Sequence, residues 1–407
     1  MTGPDVGSAR AASRRDLAVF WVSVLGLYLE LLLIRWIGTE IRIFAYLQNT
    51  VLVVCFLGLG VGLFTSRRPI SLTRGLLSLT ALAAGLSYPP TREALLSISE
   101  NLSSLGEINI WAFGQAGTPA QLIVSVLAGL AMTCLVMVLV FEPFVPIGRL
   151  LGRLMDDHPS PIIAYSLNVA GSLVGVWAFV LLGRASQPPE IWFLTLLAMA
   201  APFIMARKSQ RVLASVCLAA VVILVATQRS GHESVERVWS PYQKLALLDA
   251  RPMQTDFGVP LEYFLEVNNT GYQVLVDMDA KRAVRGTESD SSDVFTHYDV
   301  APLLHPEPKN MLIVGAGAGN DAAAALRNGA DRVTAVEIDP AIISIGERYH
   351  PQRPYSSNRV RLVLDDARSF LASTDDRFDL ISFGLLDSHT ATTMTNARLD
   401  HYVYTRE

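Results

Sequence analysis

The sequence predicts two unlike halves: a multi-span α-helical membrane bundle, then an α/β domain of the Rossmann-like type with a small β-hairpin unit ahead of it. Three observations predict this. Apolar runs of about 20 residues recur through the first half, and that is the length that crosses a bilayer core of about 30 Å. The composition turns polar after Arg229. From Met311 onward, short β-rich runs alternate with short helical ones, the pattern of a parallel doubly wound sheet. The 407-residue chain is 51% hydrophobic and 17% charged, greasier than an ordinary soluble protein of its size. Its mean hydropathy of +0.35 agrees.

In chain order, the expected organisation is a cytoplasmic tail over 1–15, a transmembrane domain of about seven helices over 16–228, a β-rich part over 229–305 and a Rossmann-like donor-binding part over 306–407. Spans are predicted near 17–37, 46–66, 72–88, 119–141, 161–183, 189–206 and 211–228. The first run is long, contains Glu30 and Arg35, and lacks a small-residue cleavage site, so it is expected to stay as a helix rather than be removed as a signal peptide. Basic residues gather before the first span (Arg10, Arg14, Arg15) and after the second (Arg67, Arg68, Arg74), the fourth (Arg149, Arg153) and the sixth (Arg207, Lys208, Arg211). By the positive-inside rule the N-terminus is cytoplasmic, in a membrane of the bacterial inner (plasma) type. Seven crossings would leave the C-terminal part outside. The C-terminal part is nevertheless expected on the cytoplasmic side, which requires that 72–88 or 211–228 does not cross, or that the hairpin 189–228 is re-entrant.

Within the bundle, "GLGVG" at Gly58–Gly62 and "GSLVG" at Gly171–Gly175 read as close helix packing. Glu30 lies deep in the first span, where a carboxylate needs a partner or water. Two readings stay open: neutralisation by Arg35 or Arg42, with Arg35 snorkelling to the interface, or a cation site. Asn168 and Glu142 are weaker candidates of the same kind. The segment from Pro89 to Thr118 is expected to be a loop with a short amphipathic helix. Cys55, Cys134 and Cys217 sit in apolar runs, fit neither a disulfide framework nor a metal spacing, and read as core filler. With a net charge of -4 and no block of consecutive Lys or Arg that offers the phosphate footprint of nucleic-acid binding, nucleic acid is not an expected partner. The expected partners are a lipid bilayer and a small-molecule amine, with a homo-oligomer left open.

In the second half, "WSPYQKLALL" reads as β-rich, and "YFLEVNNTGYQVLVDM" as two strands broken at "NNTG". Strand 311–314 then runs into Gly315, Gly317 and Gly319, which open a helix from about Asp321. Backbone N–H groups and a helix N-terminus thereby face a ligand. Glu337 ends the next strand, placed for ribose hydroxyls, and Asp366 ends the third, placed for an adenine amino group. From Gly315 the sixth position is Asn320, so the dinucleotide fingerprint fails in that register, although Gly317 to Ala322 would satisfy it one step late. Glycines, Glu and Asp at three strand ends fit an S-adenosyl donor better than a dinucleotide.

The stretches "SPYQKLAL", "GYQVLV", "LIVGAGAGND", "VEIDPAII", "DDARSFL", "FDLISFGLLDSHT" and "YVYTRE" together resemble the spermidine synthase family of polyamine aminopropyltransferases. "LELLLIRWIG", "FLGLGVGL" and "YSLNVAGSLVG" are similar to its membrane-embedded branch. The resemblance implies a donor substrate, decarboxylated S-adenosylmethionine or S-adenosylmethionine, and no metal. It implies that Gln243 contacts the thioadenosine, Glu337 the ribose, and Asp366 with Ala367 the adenine, with Gln273 bordering the pocket. Two positions depart from the family. Ala318 stands where the family loop has an Asp that holds the donor's amine, and Gly384 stands at the catalytic carboxylate, with Asp387 at the second acidic position. Aminopropyl transfer needs a carboxylate to orient the amine and help remove its proton. Asp387 or His389 is the expected catalytic replacement, and Asp321 the stand-in for the loop carboxylate; a solvated turn is the plain alternative for "DSHT". By the same resemblance the chain ends before the sheet is complete. The expected function is a membrane-anchored transferase with an S-adenosyl-type donor. The alternatives are an S-adenosylmethionine-dependent methyltransferase and a non-catalytic membrane transport module that senses a polyamine or nucleoside.

Overall fold

The structure is a computed structural model and describes residues 6–46, 48–102, 118–228, 234–251, 261–278, 296–305 and 307–384. The chain divides into two compact units, Met1–Gly231 and His232–Glu407.

The first unit is helical: α1 (Val6–Glu40), α2 (Arg42–Tyr46), α3 (Gln48–Phe64), α4 (Leu72–Ser87), α5 (Pro89–Leu96), α6 (Ile98–Leu102), α7 (Pro119–Asp156), α8 (Pro161–Arg184), α9 (Pro189–Met205) and α10 (Arg211–Thr227). All seven predicted apolar runs are helices, and α7 continues past its expected end to Asp156. Among the described residues, three helical stretches are long and apolar enough to cross a membrane: Ser13–Glu40, Pro119–Asp156 and Pro161–Arg184. Asn49–Phe64, Leu72–Ser87, Pro189–Met205 and Arg211–Thr227 are shorter apolar helices.

The four basic segments meet at one end of this unit. Arg15 donates to the Asp157 carbonyl, Arg67 pairs with Asp157 at 3.1 Å, Arg153 donates to the Ser66 carbonyl, and Arg207 donates to the Ile70 carbonyl. α10 lies along α4 for its whole length: Gln210 accepts from Leu72 N–H at the basic end, and Ser87 donates to the Leu224 carbonyl at the other. Thr227 therefore lies away from the basic end.

Glycine sets the closest helix contacts. A Cβ on Gly171 would sit 2.3 Å from the Phe20 carbonyl oxygen of α1, and one on Gly62 would sit 2.5 Å from the Val145 carbonyl oxygen of α7. Gly171→Ala should therefore force α1 and α8 apart and destabilise the unit by about 1–3 kcal/mol. Gly60→Ala meets nothing within 4 Å and should be neutral or slightly stabilising. Thermal unfolding of the two detergent-solubilised variants checks the contrast; equal losses would contradict it.

Several expectations for this unit change. Cys55 and Cys217 are buried but Cys134 is exposed, because it lies on the outward face of α7. The ion pair expected between Glu30 and Arg35 or Arg42 is not formed. Glu30 is 2% exposed and its Oε2 has no hydrogen-bond partner, while the Arg35 guanidinium lies over the Trp192 ring at 4.9 Å. Arg92 instead pairs with Glu40 at 3.5 Å. Glu142 pairs with Arg74 at 2.6 Å, and Asn168 accepts from the Ser23 hydroxyl. The polar segment after Pro89 begins with two short helices, α5 and α6, rather than one.

Among its described residues, the second unit forms two sheets. β1 (Ser234–Trp239), β2 (Lys244–Asp249), β3 (Leu261–Val267) and β4 (Thr270–Val276) form an antiparallel sheet in that order. The expected "NNTG" turn is present: Asn268 and Asn269 both take positive φ, 49° and 61°, as a two-residue hairpin turn of the primed type requires. "SPYQ" differs from its β-rich reading. Ser240–Gln243 is the turn between β1 and β2, closed by a bond from Ser240 N–H to the Gln243 carbonyl.

After α11 (Val300–Leu304), strands and helices alternate: β5 (Met311–Val314), α12 (Asn320–Arg327), β6 (Val333–Glu337), α13 (Pro340–Tyr349), β7 (Val360–Leu364), α14 (Ala367–Ser373) and β8 (Leu380–Phe383). The second sheet is parallel with order β7-β6-β5-β8. β5 and β6 are buried along their whole length, as central strands covered on both faces must be. The strand order reverses direction about β5, which places a ligand crevice at the carboxyl ends of β5, β6 and β8.

Candidate functional site

The glycine loop leaves β5 with Gly315, Gly317 and Gly319 at φ of 75°, 57° and 111°, a backbone that residues with a Cβ rarely adopt. Close neighbours reinforce the requirement at Gly317, where a Cβ would meet the Gln273 carboxamide at 2.8 Å. Every N–H of the loop is already bonded. Gly315 and Ala316 donate to the Val336 carbonyl, Gly317 to Glu337 Oε2 at 2.9 Å, Ala318 to Gln273 Oε1 at 2.8 Å, and Gly319 to the Ala316 carbonyl. A phosphate cradle needs such groups pointing outward, so this loop suits a nucleoside ligand better than a dinucleotide.

Glu337 is the pin of the site. Its Oε1 accepts from the N–H groups of Ile338 and Asp339 at 2.9 and 3.0 Å, and its Oε2 takes Gly317. Burial pushes its carboxyl up, and these backbone donors oppose the shift. A carboxylate has about four lone-pair sites and three are taken, so about one remains for a ribose hydroxyl. Asp366 caps α14 through Ser369 N–H at 3.0 Å, and Ala367 opens that helix, both half-buried at the carboxyl end of β7.

The antiparallel sheet closes over the loop from two points. Gln273 of β4 holds Ala318 N–H and keeps its Nε2 buried with no partner. Gln243 reaches the site through Asp339, whose Oδ2 accepts from Gln243 Nε2 at 3.2 Å and from the Ser240 hydroxyl at 2.6 Å, while its Oδ1 caps α13 through Ala341 N–H. Asn320 ties β4 to α12 by donating to the Val274 carbonyl and accepting from Val276 N–H. Tyr355 supports the loop from below, its hydroxyl donating to the Gly317 carbonyl at 2.6 Å.

The N–H and side-chain network thus brings Gln243, Gln273, Gly315, Gly317, Gly319 and Glu337 together around one loop, and Asp366 with Ala367 stands at the neighbouring strand end. Asp321 lies in the first turn of α12, buried, its Oδ2 without a partner, and burial pushes its carboxyl up to about 7. Asp387 and His389 lie outside the described residues. Ala318 is fully buried in the core cluster of Leu245, Leu247, Leu265, Ile342 and Ile345. Among the described residues, no group of three or more His, Cys, Asp or Glu is arranged to hold a metal ion.

Residues 294–403 match the family model of the spermine/spermidine synthase domain. The C-terminal unit carries a spermine/spermidine synthase domain. The chain is 31% identical over 118 residues to a polyamine aminopropyltransferase of a Ruegeria species, an alignment that covers 28% of this chain and 41% of the relative. It is 34% identical over 105 residues to the polyamine aminopropyltransferase of Serratia proteamaculans, covering 24% of this chain and 36% of that one. The chain thus spans less than half the length of these curated relatives. A likeness of 17% identity and TM-score 0.28 relates it to the crystal structure of spermidine synthase from Thermotoga maritima, over 38% of this chain and 47% of that chain.

Sequence reasoning about the synthase domain missed Asp339, Ser240 and Tyr242. All three lie inside the quoted stretches "VEIDP" and "SPYQ", but their roles depend on the turn between β1 and β2 folding against the end of β6. Tyr242 is exposed, yet its hydroxyl feels Asp339, Asp366 and Glu337, which together with partial burial push its ionisation up. It thus lies near the carboxyl groups at the ends of β6 and β7.

Proposed function

We propose that the chain is a membrane-anchored transferase whose synthase domain holds an S-adenosyl-type donor, decarboxylated S-adenosylmethionine, and passes its aminopropyl group to a small amine. The observation that carries this reading is the match of residues 294–403 to the spermine/spermidine synthase domain. The site geometry supports it: a loop with no outward N–H groups, a buried Glu337 with acceptor capacity to spare, and an unpartnered Gln273 Nε2 suit the ribose and thioether of a nucleoside. Asp366 and Ala367 would hold the adenine.

In the reaction, the lone pair of the acceptor amine attacks the methylene beside the sulfonium. The C–N bond forms as the C–S bond breaks, and its electron pair returns to sulfur to give neutral methylthioadenosine. The proton lost by the amine passes to a carboxylate or to solvent.

Membrane anchoring is supported by the three long apolar helices, by outward-facing apolar side chains such as Phe56, Ile123, Leu127, Leu173 and Trp177, and by the single basic end. Donor supply argues for a cytoplasmic site. A C-terminal reporter fusion active only outside would remove the cytoplasmic placement.

The test of chemistry is mass spectrometry of detergent-solubilised full chain incubated with putrescine and either decarboxylated or intact S-adenosylmethionine. Spermidine with methylthioadenosine is the expected product pair. Methyl transfer from the intact donor would replace the proposal with the methyltransferase reading. A retained donor with no turnover would replace it with sensing.

A further inference from the structure

The carboxyls at the described strand ends are mostly engaged. Glu337 takes three N–H groups, Asp339 takes Ser240, Gln243 and Ala341, Asp365 takes Asp366 N–H, and Asp366 caps α14. Asp321 differs. It is only 7% exposed, and its Oδ2 is buried with no hydrogen-bond partner. No ion pair reaches it among the described residues. A buried carboxyl oxygen with nothing to bond is costly, and in native structures such a group marks a strained or functional place.

Its direction is set by a glycine. A Cβ built on Gly384, at the carboxyl end of β8, would lie 3.2 Å from Asp321 Oδ2 and 2.5 Å from the Gly315 carbonyl oxygen. Gly384 cannot retreat easily, because its N–H donates to the Val314 carbonyl at 2.8 Å. Any side chain at 384 would press on the end of β5 and displace the Asp321 carboxyl. The carboxyl thus stands where a side chain from the end of β8 would begin, in the crevice between β5 and β8, rather than toward the apolar surroundings of Ala318.

We propose that Asp321 anchors a protonated amine in this site, and that glycine at 384 is what leaves its carboxyl the room to do so. The inference rests on the donor reading above and names the group that recognises the amine. An ammonium supplies what the oxygen lacks, a donor and a positive charge in one group. Burial holds the carboxyl up at about 7, so an arriving ammonium would drive it to the carboxylate and release a proton. Two amines qualify, the one on the transferred propyl chain and the one on the acceptor, and the experiment separates them.

Equilibrium binding is measured on solubilised full chain, wild type and Asp321→Asn, with methylthioadenosine, with its analogue carrying a 3-aminopropyl chain on a neutral sulfur, and with putrescine in the presence of saturating methylthioadenosine. Asp321→Asn should weaken the aminopropyl analogue or putrescine by at least about tenfold while methylthioadenosine binds as in wild type. Loss on the analogue assigns the donor's amine, and loss on putrescine assigns the acceptor's. Unchanged affinity for both overturns the inference. If the variant does not fold, wild type alone decides: it should prefer the aminopropyl analogue to the matching 3-hydroxypropyl analogue by about tenfold or bind putrescine, and the absence of both overturns it. Wild type that binds no thioadenosine ligand at all overturns the donor reading itself.

Discussion

Glu337→Leu should lower the stability of the C-terminal unit by about 2–4 kcal/mol and weaken methylthioadenosine binding by about a hundredfold or more. The substitution leaves three backbone donors, Gly317, Ile338 and Asp339, without acceptors in a buried place. Each orphaned buried group costs about 1–3 kcal/mol. The sum is partly offset because the Glu337 carboxyl is itself buried at a cost, which shows in the upward push on its ionisation. The loop is then freed where its shape matters most, since Gly317 is held at positive φ between Glu337 on one side and Gln273 on the other. Glu337→Gln keeps one acceptor oxygen in place and should lose less of both properties. Hydrogen exchange at Gly317, Ile338 and Asp339 in the full chain, read beside calorimetric unfolding, is the check. Unchanged exchange at these amides in the leucine variant would remove Glu337 from its role as the pin of the loop.

Much of this arrangement is legible in the sequence, and the exceptions have physical causes. Run length locates the seven apolar helices because a long apolar run has few alternatives, and it locates β5, an unbroken Met-Leu-Ile-Val, because a fully buried parallel strand reads as a continuous apolar run; β6, Val-Thr-Ala-Val-Glu, is marked by its β-branched residues. Gly315, Gly317, Gly319 and Glu337 follow from their places at strand ends. "SPYQ" carries a local turn signal in its Ser and Pro, and the Ser240 hydroxyl accepts from Tyr242 and Gln243 N–H; what the local sequence does not announce is the bond from Ser240 to Asp339, 99 residues away in the chain. Cys134 illustrates the same limit in the bundle, where an all-round apolar helix gives no sign of which face turns outward. Arg35 lies on the Trp192 ring rather than on Glu30, a choice made by a helix far along the chain. The orientation of Asp321 toward Gly384 is likewise a contact between the end of β8 and the first turn of α12, and no local spacing encodes it.

Stability should depend on pH through Asp321, and the sign follows from the direction of its shift. Its carboxyl titrates near 3.8 in an unfolded chain and at about 7 when folded, because burial disfavours the charge. Between those values the folded state holds a proton that the unfolded state has lost, so the associated stability is fully present below about pH 4 and is lost as pH rises through 7. From pH 5 to pH 8 the loss is about 2–3 kcal/mol. Asp321→Asn removes this dependence, so the variant should gain on wild type steadily over that interval and be the more stable at pH 8. Glu337 and Asp339, also pushed up by burial, act in the same direction, and His350, held down at about 4 by burial, acts in the opposite one. All three are common to both proteins and cancel in the difference to first order. Unfolding temperatures of full-length wild type and Asp321→Asn at pH 5, 6, 7 and 8 check it, and parallel curves would show that Asp321 does not titrate in this range. A ligand with an amine supplies the missing counter-charge, so saturating aminopropyl analogue should flatten the wild-type curve, whereas methylthioadenosine should raise it without changing its slope. The slope thus reports occupation of the amine position independently of affinity, and ties the cost of the buried carboxyl to the group it is built to receive.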